Sequence, residues 1–127
     1  MSNNTTIISD RVQAAAESFL LRKGYEVIQT GFESDLADGR IAIIARDTDC
    51  DEIVFVDVSS CCLEDKDSFA APTLERWQIE LLAASWLAEH DVPANTAFRL
   101  DAISIMIVGA SRAVLRHHRG AFGFPEA

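Results

Sequence analysis

The stretch from Arg40 to Ser59 constrains this chain most. Two strand-forming runs, Gly39-Arg40-Ile41-Ala42-Ile43-Ile44-Ala45 and Ile53-Val54-Phe55-Val56-Asp57-Val58-Ser59, flank an acidic connection, Arg46-Asp47-Thr48-Asp49-Cys50-Asp51-Glu52. Apolar side chains on both parities of each run mean that both faces are covered, as at the centre of an α/β sheet; a solvated hairpin would alternate. Strand side chains alternate faces, so Asp57 shares one side with Ile53, Phe55 and Ser59. A carboxylate in such company needs a metal, a cation or several hydrogen bonds, since an unpaired buried charge is expensive. Two readings follow: Asp57 is a site residue, or it lies near the strand end and caps backbone amides.

A chain of 127 residues makes one domain with a real core. We expect a flexible N-terminal arm over 1–9 and a single domain over 10–124. The N-terminus has no basic and apolar blocks of a signal peptide and no apolar run is long enough to span a bilayer, so the expectation is a cytoplasmic protein with no membrane partner. Three cysteines, Cys50, Cys61 and Cys62, fit reduced thiols better than a disulfide framework and are one short of a four-thiolate zinc site. A net charge of −9 weighs against generic affinity for nucleic acid, which depends on Lys and Arg displacing counterions from phosphates. Any such contact requires a local basic patch.

In chain order, Asp10 with Gln13 three residues on has capping-box spacing, and Val12, Ala15, Ala16, Phe19 and Leu20 make a helical stripe closed by Gly24. This predicts a helix over Arg11–Lys23. Tyr25–Phe32 reads as a strand, and Glu33–Gly39 as a polar connection closing on an Asp-Gly turn. The two central strands follow, completing an antiparallel meander. Cys61–Ala71 has no period and reads as a loop. A second helix is expected over Leu74–Glu89, with Leu74, Trp77, Leu81, Ala84 and Ala88 as its buried stripe, widened by Ile79, Leu82 and Trp86. Ala97–Val108 is β-rich, with Arg99 and Asp101 heading the parity that Ile103, Ile105 and Ile107 continue. Arg112–Arg116 is a last strand before a basic and aromatic tail. The fold class is α/β, with a mixed sheet containing a three-stranded antiparallel meander and two main helices in the order α-β-β-β-α-β-β.

Asp47, Asp49 and Asp51 alternate like a calcium loop, but the glycine and distal glutamate of an EF-hand are missing, so a charged turn is the default. His117 and His118 lie beside Arg116 and Arg119. Adjacent strand residues face opposite ways, so the two histidines cannot readily share one ion, and a solvated basic tail is the plainer reading. Trp77 and Trp86 read as core or interface anchors.

Several of these segments together resemble the YraN-like protein family, which has a restriction-endonuclease-like, PD-(D/E)xK nuclease fold. The matching features are Ala16, Phe19-Leu20 and Gly24-Tyr25; Gly39 to Ala45 for the family's Gly-Glu-Ile-Asp-Leu-Ile-Ala; Val54-Phe55-Val56-Asp57-Val58 for its Val-Phe-Val-Glu-Val-Lys; Ala84 and Trp86-Leu87; Arg99-Leu100-Asp101 for its Arg-Phe-Asp; and Ala121-Phe122. The resemblance implies a site in which two carboxylates on adjacent strands hold Mg²⁺, a lysine orients the attacking water, and a helix-one glutamate sits nearby. Here those positions carry Gln13, Arg40, Ala42 and Ser59, and only Asp57 stays acidic. A magnesium site reduced to one carboxylate cannot offset the ion's dehydration.

The expectation is a catalytically inactive nuclease-fold protein that acts as a nucleic-acid or protein binding module, with Arg76, Arg116, His117, His118 and Arg119 as candidate contacts. No cofactor is expected, and Arg40 beside Asp57 would stand where the cation was. The alternative is a metal-dependent endonuclease with a rearranged site, Mg²⁺ held by Asp57 with Asp38, Glu33 or Asp101. A homodimer through helix two or the aromatic tail is a further possibility.

Overall fold

The computed structural model describes residues 10–62, 73–93, 95–108 and 112–121, except the side chain of Cys62. The expected arm over 1–9, most of the loop after Cys61 and the aromatic tail beyond Ala121 lie outside them.

Helix α1 (Asp10–Arg22) leads into β1 (Tyr25–Ser34), β2 (Ala37–Asp47) and β3 (Glu52–Cys62); α2 (Arg76–Glu89) then crosses over to β4 (Phe98–Val108), which turns back into β5 (Arg112–His118). The five strands lie in the sheet in chain order, antiparallel except for the β3–β4 pair, which is parallel because α2 connects them. The expected element order and mixed sheet are thus found. The strands run longer than the apolar pattern suggests: β3 reaches Cys62 instead of ending near Ser59, and β5 reaches His118.

One helix covers each face of the sheet. On one side Val12, Ala16 and Leu20 of α1 pack on Ile43, Ala45, Val54, Val56, Val58, Ile103 and Ile105. On the other, Leu74 and then Ile79, Leu82, Ala83 and Trp86 of α2 pack on Phe32, Ile41, Ile44, Phe55, Leu100 and Ala102. This accounts for the apolar residues at both parities of β2 and β3. Gly24 ends α1 in the left-handed conformation, φ 94°, and Thr48 Oγ1 donates to its carbonyl at 2.7 Å, tying the helix end to the β2–β3 turn.

Three local expectations are corrected. The β1–β2 turn is Asp35-Leu36, not Asp38-Gly39; Gly39 lies within β2, at φ 93°. Ala15 is exposed, and its neighbour Gln13 takes part in the inner face of α1 instead. The buried face of α2 is the one set by Ile79, Leu82 and Trp86, whereas Trp77 and Leu81 are 55% and 39% exposed and Ala84 and Ala88 also face outward. Both faces of α2 are apolar, and Trp86 decides between them: it fits edge-on against Phe55 and donates its indole N–H to Gln29 Oε1 at 2.9 Å.

Gly39 has a steric duty as well. A Cβ there would sit 2.7 Å from Cδ2 of the buried Leu74. Gly39→Ala should therefore lower the unfolding free energy in urea by about 1–3 kcal/mol. A loss within the ordinary surface range of about 0.5 kcal/mol would contradict this packing.

Candidate functional site

The sheet forks where the resemblance puts its active site. The β2–β3 register runs from Asp47↔Glu52 to Ile43↔Val56, whereas β1–β2 pairing continues to Ser34↔Ala37 and β3–β4 pairing to Cys62↔Ile107. Beyond Ile43 and Val56 the two halves part, with Arg40 and Ala42 on one side of the fork and Asp57 and Ser59 on the other.

The start of α2 bridges this fork. Asp57, 2% exposed, accepts the backbone N–H of Thr73 at 2.7 Å, the Thr73 hydroxyl, and more weakly the N–H of Leu74 at 3.4 Å. Gln78 accepts the Glu75 N–H at 2.8 Å and donates to the Asp38 carbonyl on β2 at 3.2 Å. Asp57 accepts backbone amides, as the plainer reading had it, but it lies in the middle of β3 instead of near the strand end, and the amides are those of the segment just ahead of α2. Burial raises its pKa, and the bonds from Thr73 and Leu74 offset only part of that rise.

The other positions are engaged too. Gln13 Nε2 donates to the Ala42 carbonyl at 3.0 Å and to Glu17 at 2.9 Å, so the amide joins α1 to β2. Ser59 is buried beside Ser104 in the β3–β4 register. The expected Arg40–Asp57 pair is not formed: the Arg40 side chain is 49% exposed and pairs with Glu33 across the β1–β2 hairpin at 3.6 Å, because the fork separates it from β3. Nor are Asp38, Glu33 or Asp101 brought to Asp57. Asp38 and Glu33 are exposed, and Asp101 lies on the opposite face by strand parity, pairing with Val56 while Asp57 pairs with Ala102. Among the described residues no group of three or more His, Cys, Asp or Glu is placed to hold a metal.

A second polar centre, on the α1 face, was only half visible in sequence. Arg99 Nε and Nη2 donate to the two oxygens of Asp101 at 2.8 and 3.0 Å, and its guanidinium also reaches Glu52 at 2.8 Å, Tyr25 Oη at 2.8 Å and Asp47 at 3.2 Å. Asp101, fully buried, also accepts from His117 Nε2 and the Gly120 N–H, both at 2.8 Å. Burial alone would push the Asp101 carboxyl up, but the bonds from His117, Arg99 and Gly120 outweigh it and hold the pKa below the ordinary aspartate range. Asp47 behaves likewise, with burial opposed by the Asp49 amide and Arg99. The shared parity of Arg99 and Asp101 at the head of an apolar face was the sequence signal; nothing in the local pattern linked them to Tyr25 or His117.

His117 and His118 point to opposite faces, as strand parity requires: His117 is packed edge-on between Phe19 and Tyr25, whereas His118 is exposed. Arg116 shares the outer face of β5 with His118, and Arg119 turns toward Asp47 at 3.6 Å. Arg76 pairs with Glu80 in the first turn of α2, over β1–β3, and is not gathered with the β5 residues. The acidic β2–β3 turn is no calcium loop: Asp47 is buried on Arg99, Asp51 pairs with Arg46 at 2.6 Å, and Asp49 is exposed. No helix among the described residues is long and apolar enough to cross a membrane.

Fold and site together define a small mixed α/β protein with a forked, capped sheet. The profile of the uncharacterised protein family UPF0102 matches residues 13–105, and the chain belongs to that family. Similar relatives are UPF0102 proteins of Roseiflexus castenholzii, 34% identical over 110 residues that cover 84% of this chain and 85% of the relative, and of Chloroflexus aurantiacus, 33% identical over 112 residues covering 87% and 88%. A third, from Beutenbergia cavernae, is 31% identical over 110 residues, covering 85% of this chain and 89% of its own. The YraN-like resemblance is thus upheld as a family assignment.

The lowered pKa values fix the acid behaviour. A carboxyl with a depressed folded-state pKa contributes stability that is present above its unfolded pKa and lost as pH falls through the folded value. Stability should fall on acidification below about pH 4, and Asp101→Asn should flatten that fall while costing about 3–5 kcal/mol at neutral pH. Unchanged acid sensitivity in urea melts of this variant would contradict the account.

Proposed function

We propose that this protein is a nuclease-fold binding module without hydrolytic activity, and that its ligand is nucleic acid held on the outer face of β5. What carries the first half is Asp57: both of its oxygens already serve the start of α2, and the neighbouring positions are an amide, an arginine, an alanine and a serine. Mg²⁺ needs several anionic or carbonyl oxygens to offset its dehydration, and one engaged carboxylate does not supply them. Without the metal or the lysine, no group here activates a water.

The binding half is supported by charge. In a chain of net charge −9, Arg112, Arg116 and His118 share one face of an exposed edge strand, with Val114 between the two arginines, so that the arginines are about 13 Å apart and Arg116 and His118 about 7 Å. α2 packs on β1–β3, and among the described residues Arg112, Arg116 and His118 are exposed. Such a row can follow a phosphate backbone, which gives sequence-tolerant and strongly salt-dependent binding. The test is fluorescence anisotropy with single-stranded and branched DNA at two salt concentrations, alongside a cleavage assay in Mg²⁺ and Mn²⁺. We expect binding without cleavage, and Arg112→Ala with Arg116→Ala to weaken it and flatten the salt slope by about 2. Cleavage that disappears in Asp57→Asn would favour the rearranged endonuclease instead.

One observation favours a second reading, a homodimer. Trp77, Leu81, Ala84 and Ala88 form an exposed apolar ridge along α2, and antiparallel pairing would set the bulky end of one copy against the small end of the other. Light scattering at monomer mass, unchanged in Trp77→Ser, would exclude it.

A further inference from the structure

A cavity of about 430 Å³ opens beside the Arg99 network, lined by Phe19, Lys23, Tyr25, Asp47, Asp49, His117 and Arg119. The state of His117 there follows from its partner. Asp101, kept ionised by Arg99, can only accept, so the hydrogen on His117 Nε2 points to it. The other ring nitrogen, Nδ1, makes no hydrogen bond with any described residue, and no described side-chain nitrogen or oxygen that is buried lacks a partner. His117 lines the cavity, and Nδ1 is its ring nitrogen with no partner among the described residues. Nδ1 is an acceptor when the ring is neutral and a charged donor when the ring gains a proton.

Two cations flank it. Lys23 lies over the Phe19 ring, 5.5 Å from its centre, and has no carboxylate within ion-pair distance among the described residues. Arg119, 61% exposed, reaches only toward Asp47, at 3.6 Å. Of the two acids at the wall, Asp47 is held by Arg99 and the Asp49 amide, whereas Asp49 is exposed. A metal would find too few ligands: Nδ1 and Asp49 alone do not complete a coordination shell. An anion finds three donors, Lys23 just after α1, and His117 and Arg119 at the end of β5.

We propose that this cavity binds a phosphomonoester, held by Lys23, Arg119 and the Nδ1–H of protonated His117, with Asp101 and Arg99 orienting the ring from behind. Rigid placement of the imidazole by a buried carboxylate is what a charge-assisted contact needs, because no rotamer freedom is lost when the anion arrives. Coupling to pH follows from the same geometry. Imidazole changes charge between about pH 5 and 8, and the groups facing His117 are Asp101 and Arg99 from β4, Tyr25 from β1, Asp47 and Asp49 from the end of β2 and its turn, Lys23 after α1, and Arg119 after β5. Counting Arg99, Lys23 and Arg119 against Asp47, Asp49, Glu52 and Asp101, these side chains carry one excess negative charge while His117 is neutral. One proton on His117 cancels that excess and with it the repulsion of an anion. The proposal is independent of the β5 reading, since His117 and Arg116 project to opposite faces of that strand.

The phosphate can come from a free nucleotide or from the end of a nucleic-acid strand, and NMR of the His117 ring separates the two. Inorganic phosphate, AMP, and a short oligonucleotide with or without a 5′-phosphate are titrated into the full chain, with sulfate added at pH 6 and pH 8 because its own charge is constant over that range. The expected result is a saturable shift of the His117 signals with phosphate and AMP, tighter sulfate binding at pH 6, and a loss of about tenfold or more in Lys23→Ala with Arg119→Ala. Both side chains are at the surface, so this variant should keep the wild-type melting curve, and the loss then reports the site. A response to the phosphorylated oligonucleotide but not its unphosphorylated twin identifies a strand end as the source; a response to AMP alone identifies a free nucleotide. His117 signals indifferent to all four ligands, or shifts of equal size in the double variant, would overturn the proposal.

Discussion

Arg99 touches every part of the sheet. Its guanidinium bonds directly to Tyr25 on β1, Asp47 on β2, Glu52 on β3 and Asp101 on β4, and through Asp101 it reaches His117 on β5. A charge this deep is tolerable only because every donor has an acceptor, and each acceptor is thereby excused from desolvation without a partner. The carboxylates raise the pKa of Arg99 even though its burial alone would lower it, so the centre stays charged. With one end of all five strands fixed, the apolar faces on either side can be packed by one helix each, and the remaining half of the sheet is free to open.

That opening is the second feature the fold has to accommodate. The fork between Ala42 and Asp57 would have to be filled by water, a metal or protein groups, since strand edges inside a domain cannot be left unpaired. Here protein groups fill it: Gln13 on the Ala42 carbonyl from one face, and Thr73, Leu74 and Gln78 from the other. Asp57 accepts the Thr73 and Leu74 amides ahead of α2, whose own N-cap is Glu75. The buried Asp57 carboxylate, with a raised pKa, is a modest burden on stability at neutral pH that these amides reduce.

Much of this was legible from residues alone. Apolar side chains at both parities of β2 and β3 required cover on two faces, and α1 and α2 supply it. The glycine after α1 and the order of elements were equally plain. What could not be read was set by tertiary contacts. The inner face of α2 was ambiguous because Trp77 and Trp86 head two equally apolar stripes, and only the fit of Trp86 to Phe55 and Gln29 decides it. Adjacency of β2 and β3 suggested Asp57 as the partner of Arg40, but the pairing of these strands ends at Ile43 and Val56, three residues short of Arg40, and the two do not meet. The Arg99 centre was visible as a charged pair heading an apolar strand face. Its three remote partners are 47 to 74 residues away in sequence, beyond the reach of any local pattern.

The central claim is that both oxygens of Asp57 are taken by the segment leading into α2 and are not free to bind a metal. Calorimetric titration of Mn²⁺ into the full chain tests it most directly, with Asp57→Asn as the reference. If Thr73 and Leu74 hold both oxygens, the two proteins give the same featureless heats. A saturable, one-to-one heat in the parent that vanishes in Asp57→Asn would mean that the carboxylate is still a ligand.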